Sequence, residues 1–461
     1  MTDVLYNYII VYMRYHFPAL FLVAMTLGPR TTSAQRLTLR EALTRAEGSA
    51  YGNRAARAQA SAEGARALGA LQGILPTLRV EGGWMETTDP LNAFGLLLRQ
   101  RGVTAAAFDP TVLNGPAARR NWSGGVVAEI PLFNADALAG RSAAKSGARA
   151  AVDKATWTAA TTRLQVIHAY YGALRATEAT RTLEVADAAA TDHVRQATAM
   201  LDQGLVARSD LLLAQVRAGE VAAQLIGTRA QAALVRQQLA VVLGTPADTG
   251  FVLVDTLPSA DRIRAVAASL ADGTAQDRAD VTAASNAASA AGRDAWRAGG
   301  RLLPRVNAFG RYDWNDPSTP FAGQKSWTVG VMASWTPFSG FAEVADLRGT
   351  RARAAAARAL AEATGANADL ELASRESDVT VALARVSLAE QAVEQGTEAH
   401  RLVARRYAGG LAAITELLGA QSAETQTRLG LTDARMNAII ALAARELARG
   451  ADPAAVAAVE E

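Results

Sequence analysis

The chain contains the stretch RYAGGL at residues 406–411, which ends a long proline-free run and is followed by TELLGAQ at 415–421. An earlier stretch, QGL at 203–205, is followed by SDLL at 209–212, and the two copies are offset by 206 residues (410 against 204). Glycine gives the backbone freedom that a tight reversal between two helices needs. The sequence therefore predicts two helical hairpins of one design, each turning at a glycine.

Each long helical run is preceded by a pair of strand-like segments, so the strands are duplicated as well. Leu75-Pro76 and Leu303-Pro304 open the first segment of each pair. The motifs PLF at 131–133 and PFS at 337–339 close the second segment, again at an offset of 206. The first pair encloses about 22 extra residues, and turn-forming residues predict a long loop at about 87–121. Long loops of outer-membrane barrels face the outside of the cell.

Four segments alternate apolar and polar residues with the period of two that is typical of strands. They are predicted at about 78–88, 122–131, 305–314 and 327–336. The alternating runs are about nine or ten residues long, which is the length that a tilted strand needs to cross a bilayer. A water-soluble sheet with a tryptophan-rich core is the alternative.

Tryptophan is concentrated in these four segments, mostly near their ends. Five of the seven tryptophans lie there: Trp84, Trp122, Trp314, Trp327 and Trp335. Because barrels place aromatic side chains at both membrane interfaces, we expect these five residues to be membrane-interface aromatics.

Helical patterns fill most of the remaining chain. They are predicted at about 38–72, 134–202 and 206–243 in the first half, and at about 263–300, 340–407 and 412–449 in the second. Thr38 followed by Glu41 fits a capping box at the first helix. Proline-free runs of about 65 residues would form rods of about 100 Å, and apolar residues at helical spacing predict coiled packing of these rods.

The duplication divides the chain into a first structural repeat at 35–262 and a second at 263–450. Strand-prone residues at 245–262 predict a small equatorial element beside the first repeat. The tail at 451–461 is predicted to be flexible. This layout of short strands and very long helices is unlike that of an enzyme.

The first 34 residues have the charged start, short apolar region and small-residue cleavage site of a secretory signal peptide. Within this signal peptide at 1–34, residues 1–12 are interpreted as a start-site extension. A retained N-terminal anchor is the alternative. No later run is apolar enough for a membrane helix, so any membrane crossing would be made by strands.

Composition excludes several kinds of chemistry. The 461 residues include no cysteine and only four scattered histidines, so no metal-ligand spacing is present. We find neither a nucleotide-binding glycine loop nor a catalytic constellation, and therefore predict no enzyme activity, no catalytic residue, no metal and no cofactor. The formal net charge of +3 gives no reason to expect a nucleic-acid partner.

The two helical turns are the candidate functional sites. Gly204 and Gly410 allow the reversals, and Leu205 and Leu411 follow them as apolar side chains on which a partner could dock. The alternative is a simple turn in which the leucine serves only local packing.

Two acidic residues, Asp210 and Glu416, occupy matching places just beyond the turns. If several chains form a tube, their carboxylates would ring its lower mouth and favour cations. An ordinary position on a helix surface is the alternative.

Taken in order, these motifs resemble those of the TolC-like outer membrane efflux protein family, and the resemblance covers about residues 37–450. It is carried by LTLREAL at 37–43, the two Leu-Pro strand openings, the PLF and PFS strand exits, and RYAGGL leading to ELLGAQ. None of these motifs is very specific alone; their order, spacing and duplication are.

The resemblance implies a fold that is mainly α with a transmembrane β part. In a homotrimer, four strands from each chain would complete a twelve-stranded barrel, continued by a long periplasmic α-helical barrel of antiparallel coiled helices. It implies contact with outer-membrane lipid and docking on a periplasmic adaptor protein, which links the tube to an inner-membrane pump.

The resemblance also assigns roles to individual residues. It implies that Gly204, Leu205, Gly410 and Leu411 form the adaptor-docking tips.

For the periplasmic entrance, the resemblance implies a gate formed by Asp210, Tyr407 and Glu416, with Tyr407 tied to Asp210 when the entrance is closed. Two positions depart from the family pattern, because Gly419 replaces a second entrance acid and Ala412 replaces a basic residue. We therefore expect an entrance that is looser or locked differently.

The function predicted from this sequence is that of an outer-membrane exit duct of a tripartite efflux or type I secretion system, conducting substrates passively. A periplasmic helical scaffold without channel activity is the alternative. The sequence does not distinguish drug, metal-ion and protein cargo.

Overall fold

The structure is a computed structural model that describes residues 35–270 and 277–459. Its strands are β1 (Gln35–Leu37), β2 (Thr77–Thr87), β3 (Arg119–Phe133), β4 (Phe251–Leu253), β5 (Arg305–Asp316) and β6 (Gln324–Ser334). The predicted signal peptide at 1–34 lies outside the described residues.

Ten α-helices fall within the described ranges. They are α1 (Leu39–Ser49), α2 (Tyr51–Gly69), α3 (Pro90–Arg99), α4 (Pro110–Asn114), α5 (Ala135–Asp202), α6 (Arg208–Val242), α7 (Ala260–Ser269), α8 (Ala279–Gly300), α9 (Ala342–Ala408) and α10 (Ile414–Ala448). No helix of the described residues is long and apolar enough to cross a membrane.

The long strands form one antiparallel sheet in the order β2-β3-β5-β6. The register places Val80 opposite Val126, and Val126 opposite Tyr312, so the apolar members of the alternation share one face. Glu81, Gly125 and Asp313 are aligned in the same way on the opposite, polar face. The sheet therefore has one apolar and one polar surface, as the alternation predicts.

The helices pack lengthwise around α5, which is 68 residues long and therefore about 100 Å at 1.5 Å per residue. It contacts α2 and α8 toward the sheet and α6 and α10 toward its other end. The main core lies at the middle of this bundle, where Tyr170 and Tyr171 are fully buried and their rings meet edge to face at 6.0 Å. Alanine supplies many of the other buried positions along α5, which lets neighbouring helices approach closely.

The predicted continuous helix at 38–72 is wrong, because the chain breaks at Ala50. The Thr38–Glu41 capping box starts α1 as expected. The turn that ends α6 then packs against the break. A Cβ added to Gly244 would lie 2.1 Å from the Ser49 carbonyl oxygen, and the Ser49 hydroxyl donates to the Leu243 carbonyl. Tertiary packing of this turn thus interrupts a stretch that would otherwise favour one helix.

The equatorial element contains more structure than predicted. Strand β4 pairs in parallel with β1, which precedes the first helix. The Tyr170 hydroxyl donates to the Leu37 carbonyl at 3.0 Å, and Asp255 accepts from the Leu39 N–H at 2.9 Å. Strand β1 and the start of α1 are thereby fastened to the middle of α5.

The predicted flexible tail at 451–461 is wrong over its described part. Pro453–Val459 forms a 3-10 helix that packs on α10, α5 and α7. Val456 is fully buried in the main core, which explains why this segment is ordered.

Two other predicted segments are subdivided. The predicted helix at 263–300 consists of α7 and α8, with residues 271–276 outside the described ranges. The predicted loop at 87–121 contains α3, α4 and a 3-10 turn at Ala105–Phe108. Asp89 and Asp109 cap α3 and α4, each followed by a proline at the first helical position, and this combination starts a helix efficiently.

Candidate functional site

The two helical turns have the same backbone geometry. Gly204 and Gly410 adopt φ angles of +71° and +73°. In each turn the N–H of the following leucine donates at 2.8 Å to the carbonyl five residues earlier, which is the long bond of a Schellman motif. A Cβ at either glycine would meet nothing within 4 Å. Glycine is therefore required here by the backbone angle and not by lack of space.

The leucines that follow these glycines project from the turns. Leu205 is 65% exposed and Leu411 is 74% exposed. Neither is covered by its own helices, so the alternative in which they serve only local packing does not describe this chain. Two apolar side chains are presented at matching places of the two repeats.

The two predicted gate acids begin the helices that follow the turns. Asp210 accepts the N–H of Ala207 at 3.4 Å, and Glu416 accepts the N–H of Ala413 at 3.4 Å. A carboxylate in the first turn also interacts favourably with the positive end of the helix dipole. Each acid thus stabilises its own helix start while remaining near the end of the bundle.

The predicted tie between Tyr407 and Asp210 is not a hydrogen bond in this chain. The Tyr407 side chain is buried against Ile414, Leu417 and Leu418, and its hydroxyl has no hydrogen-bond partner among the described residues. Burial raises the pKa of Tyr407, and the negative charge of Asp210 raises it further. The two groups therefore interact electrostatically while the Asp210 carboxylate bonds to its own helix start.

Arg406 has a role at the second turn that the sequence analysis missed. Its guanidinium donates to the Leu411 carbonyl at 3.1 Å and lies 3.5 Å from the Glu416 carboxylate. A basic group thus reaches the turn although Ala412 lacks one. Methionine occupies the matching position of the first repeat, Met200, so only the second turn has this clamp. The sequence signal that could have indicated this role is the position of Arg406 directly before Tyr407.

Four predicted interface tryptophans lie at the end of the sheet that is farther from the long helices. Trp84 pairs with Trp122 and their rings are 6.5 Å apart, while Trp327 pairs with Tyr312. Trp314 lies on the same face, with its ring 4.9 Å from that of Tyr312.

Trp335 lies at the opposite end of the sheet, where its indole donates to the Leu302 carbonyl at 3.1 Å. Trp327 and Trp335 are eight residues apart, or about 26 Å along an extended chain. The apolar face therefore has an aromatic group at each end.

Phe321 joins the aromatic group at the far end, which the sequence analysis did not predict. It has a positive φ of 54° in the turn between β5 and β6, and its ring lies 6.4 Å from that of Trp314. A Cβ added to Gly124 would come within 2.5 Å of the Phe321 ring, and one added to Gly82 within 3.2 Å. Two cross-strand glycines thus make room for this phenylalanine on the apolar face.

Charged residues occupy the polar face of the sheet. Arg311 donates to Asp313 at 2.7 Å and lies 3.6 Å from Glu81. Asn307 donates to Glu129 at 2.7 Å nearer the helices. This face could line a water-filled space, whereas the tryptophan-bearing face could not.

Across residues 35–270 and 277–459, no group of three or more His, Asp or Glu side chains is placed to hold a metal ion. The chain contains no cysteine that could add a ligand.

The comparisons with known proteins agree with this geometry. Residues 270–450 match the family described as outer membrane efflux protein. No curated protein matches the chain.

Solved structures resemble nearly the whole chain. VceC from Vibrio cholerae superposes with a TM-score of 0.73 at 20% identity, covering 90% of this chain and 96% of that one. CmeC from Campylobacter jejuni gives 0.73 at 13% identity, with coverage of 89% and 85%. The open state of MtrE from Neisseria gonorrhoeae gives 0.69 at 17% identity, with coverage of 90% and 89%.

Residues 270–450 therefore resemble the outer membrane efflux protein family, which is a family of transporters and not of enzymes. The predicted resemblance to TolC-like proteins and the predicted fold class are confirmed, with four long antiparallel strands and two long helical hairpins. The fold is that of outer-membrane channels, and the family is one of the cell outer membrane.

Proposed function

We propose that this chain is the outer-membrane exit duct of a tripartite efflux or type I secretion system. Three copies would complete a twelve-stranded barrel in the outer membrane, and their helices would form a tunnel that extends into the periplasm. A periplasmic adaptor would dock on the helix tips and connect the tunnel to an inner-membrane pump. The duct itself would conduct substrate passively.

The observation that carries this proposal is the two-faced sheet. Its apolar face is bounded by aromatic residues about 26 Å apart along the strand. In a barrel whose strands tilt by about 40° this is about 20 Å along the axis, which approaches the height of about 25 Å expected for the lipid-facing band. Its polar face contains Arg311, Asp313 and Glu81. Four strands with two unpaired edges leave this sheet incomplete in one chain.

The proposed route of substrate follows from the length of the helices. Helices α5 and α9 extend from the sheet region to the glycine turns, and α6 and α10 return from the turns to the main core. A tube of several copies would enclose a path along these helices. The tips with Leu205 and Leu411 would be the docking surface for the adaptor. Asp210, Tyr407 and Glu416 lie close behind these tips, where they would govern the width and charge of the entrance.

A pair of matched variants tests the membrane part of the proposal. Val331 lies midway between Trp327 and Trp335 on the apolar face and is exposed, while its neighbour Met332 is exposed on the polar face. An arginine in the middle of a lipid-facing surface costs about 2–4 kcal/mol, whereas one facing the lumen is tolerated. We expect Val331→Arg to reduce the amount of protein in the outer-membrane fraction strongly and Met332→Arg to leave it unchanged.

The same preparations distinguish a duct from a scaffold. Purified wild-type protein and Met332→Arg should form trimers that give discrete conductance steps in planar bilayers. A periplasmic scaffold would instead be recovered in the soluble periplasmic fraction, would tolerate both arginines equally and would give no conductance.

A further inference from the structure

A single histidine interrupts the alanine-lined side of α5 near the tips. The buried residues there are Ala186, Ala190, His193 and Ala197, spaced by four, three and four positions, so they share one face of the helix. His193 is only 7% exposed, and neither of its ring nitrogens has a hydrogen-bond partner among the described residues. An imidazole in such a place is accommodated when neutral and is costly when charged.

The neighbour of this histidine is a second histidine, from the other repeat. The rings of His193 on α5 and His400 on α9 are 5.9 Å apart and nearly perpendicular, at 89°. His193 precedes the Gly204 turn by 11 residues and His400 precedes the Gly410 turn by 10. The pair therefore lies about 15 Å from the tips along the helices, where it joins the two repeats.

The surroundings of the pair are unequal. His400 Nδ1 lies 2.5 Å from the Glu424 carboxylate on α10, and the same carboxylate accepts from Arg428 at 2.7 Å and from Thr397 at 3.1 Å. His400 Nε2, like both nitrogens of His193, is buried without a partner. A counter-ion is therefore available to His400 and none is available to His193.

The electrostatics of His193 follow from this arrangement. Burial lowers the pKa of His193 and a charge on His400 lowers it further, while the Gln196 side chain opposes both effects more weakly. Among the described residues, no carboxylate contributes to the shifted pKa of His193, and the Glu424 carboxylate beside its partner His400 is bound to His400 and Arg428.

We propose that the His193–His400 contact is an acid-sensitive link between the two repeats, which holds the helices together near the tips while His193 is neutral and weakens when it is protonated. This inference rests on the proposed function, because the separation of the hairpins is read as widening of the entrance. Two adjacent imidazolium rings would repel each other across the boundary between the repeats.

The direction of the pH dependence is fixed by the packing. A separated arrangement exposes His193 to water, where an ordinary histidine titrates near pH 6.5. Because the packed arrangement disfavours the proton, it is fully favoured above about pH 6.5 and loses stability progressively as the pH falls below that value. Acidification should therefore open the entrance.

Single-channel recording of the intact trimer between pH 7.5 and pH 5 tests this link. We expect the ratio of open to closed channels in the wild type to rise by up to about tenfold per pH unit below 6.5 for each His193 that is protonated, and His193→Gln to remove this rise. His168→Gln is the matched control, because His168 lies on the same helix and is exposed. His193→Ala, which continues the run of alanines, replaces His193→Gln if that variant does not assemble.

A wild-type profile that is flat, or an unchanged pH dependence in both His193 variants, would overturn the proposal. A second readout does not require a channel. In ¹⁵N-histidine-labelled protein, NMR should show His193 still neutral just below pH 6.5, the ordinary pKa of a histidine in water, and a His193 that titrates at that ordinary value would contradict the link. Absence of conductance at every pH would count against the proposed duct, while the NMR titration would still decide on the histidine contact.

Discussion

At the scale of single residues, the two turns depend on glycine for a backbone angle. Gly204 and Gly410 have positive φ values and open space where a Cβ would lie. Gly409, directly before Gly410, has a φ of −88° and no such requirement. Replacing each of these neighbouring glycines, Gly409 and Gly410, by alanine therefore separates the effect of backbone strain from that of side-chain volume.

We expect Gly410→Ala to destabilise the second turn by about 1–2 kcal/mol, because an L-residue with a side chain is strained in the left-handed region. Gly409→Ala should be nearly neutral. Thermal unfolding of the detergent-solubilised trimer, compared between the two variants, measures the difference. Equal melting temperatures for both variants would mean that the turn relaxes without strain.

Tyr407 shows where a residue role taken from a resemblance and the local geometry disagree. The resemblance implies a tie to Asp210, yet the hydroxyl is buried without a partner and Asp210 bonds to the start of α6. The resemblance implies that Tyr407 lies near Asp210, and Asp210 is close enough for its charge to raise the pKa of Tyr407. The sequence could not indicate that the Asp210 carboxylate would bond to its own helix start, since that bond depends on the exact turn geometry.

Because this hydroxyl is unpaired, we expect Tyr407→Phe to leave stability within about 1 kcal/mol of the wild type and to leave channel leak unchanged. Tyr407→Ala should instead cost about 3–5 kcal/mol, as other large buried aromatic side chains do when truncated. Chemical denaturation and leak conductance measure both effects. A marked leak in Tyr407→Phe would show that the hydroxyl is bonded in the closed trimer.

At the scale of elements, the strands were the most predictable part of the chain. The alternation in 305–314 and 327–336 is regular, and a period of two permits only one assignment of faces. The break at Ala50 and the ordered segment Pro453–Val459 were not predictable. Both depend on packing against distant parts of the chain, namely the turn after α6 and the main core.

The contact between Phe321 and Gly124 provides a test of how the sheet end is built. Gly124→Val would place a side chain where the Phe321 ring lies, so we expect a loss of about 1–3 kcal/mol from overpacking. Phe321→Ala combined with Gly124→Val should recover part of this loss. A double-mutant cycle by thermal unfolding measures the coupling, and strictly additive effects would mean that the ring moves away freely.

At the scale of the whole molecule, a single chain exposes surfaces that are typical of a subunit in an assembly. Its sheet has free edges at β2 and β6, its apolar face is exposed, and two leucines project from the far end of its hairpins. The duplication in the sequence predicted this layout because both repeats carry the same strand exits and turns. The number of copies and the identity of the docking partner depend on surfaces that meet only in the assembly.

Photo-crosslinking in cells from a reactive amino acid at position 411 tests the central proposal most directly. The matched control is position 360, since Leu360 is 69% exposed on α9, far from the tip. We predict that position 411 captures a periplasmic adaptor, identified by mass spectrometry, and that position 360 does not. Capture of the adaptor from neither position, or equally from both, would contradict docking at the tips and with it the proposed efflux duct.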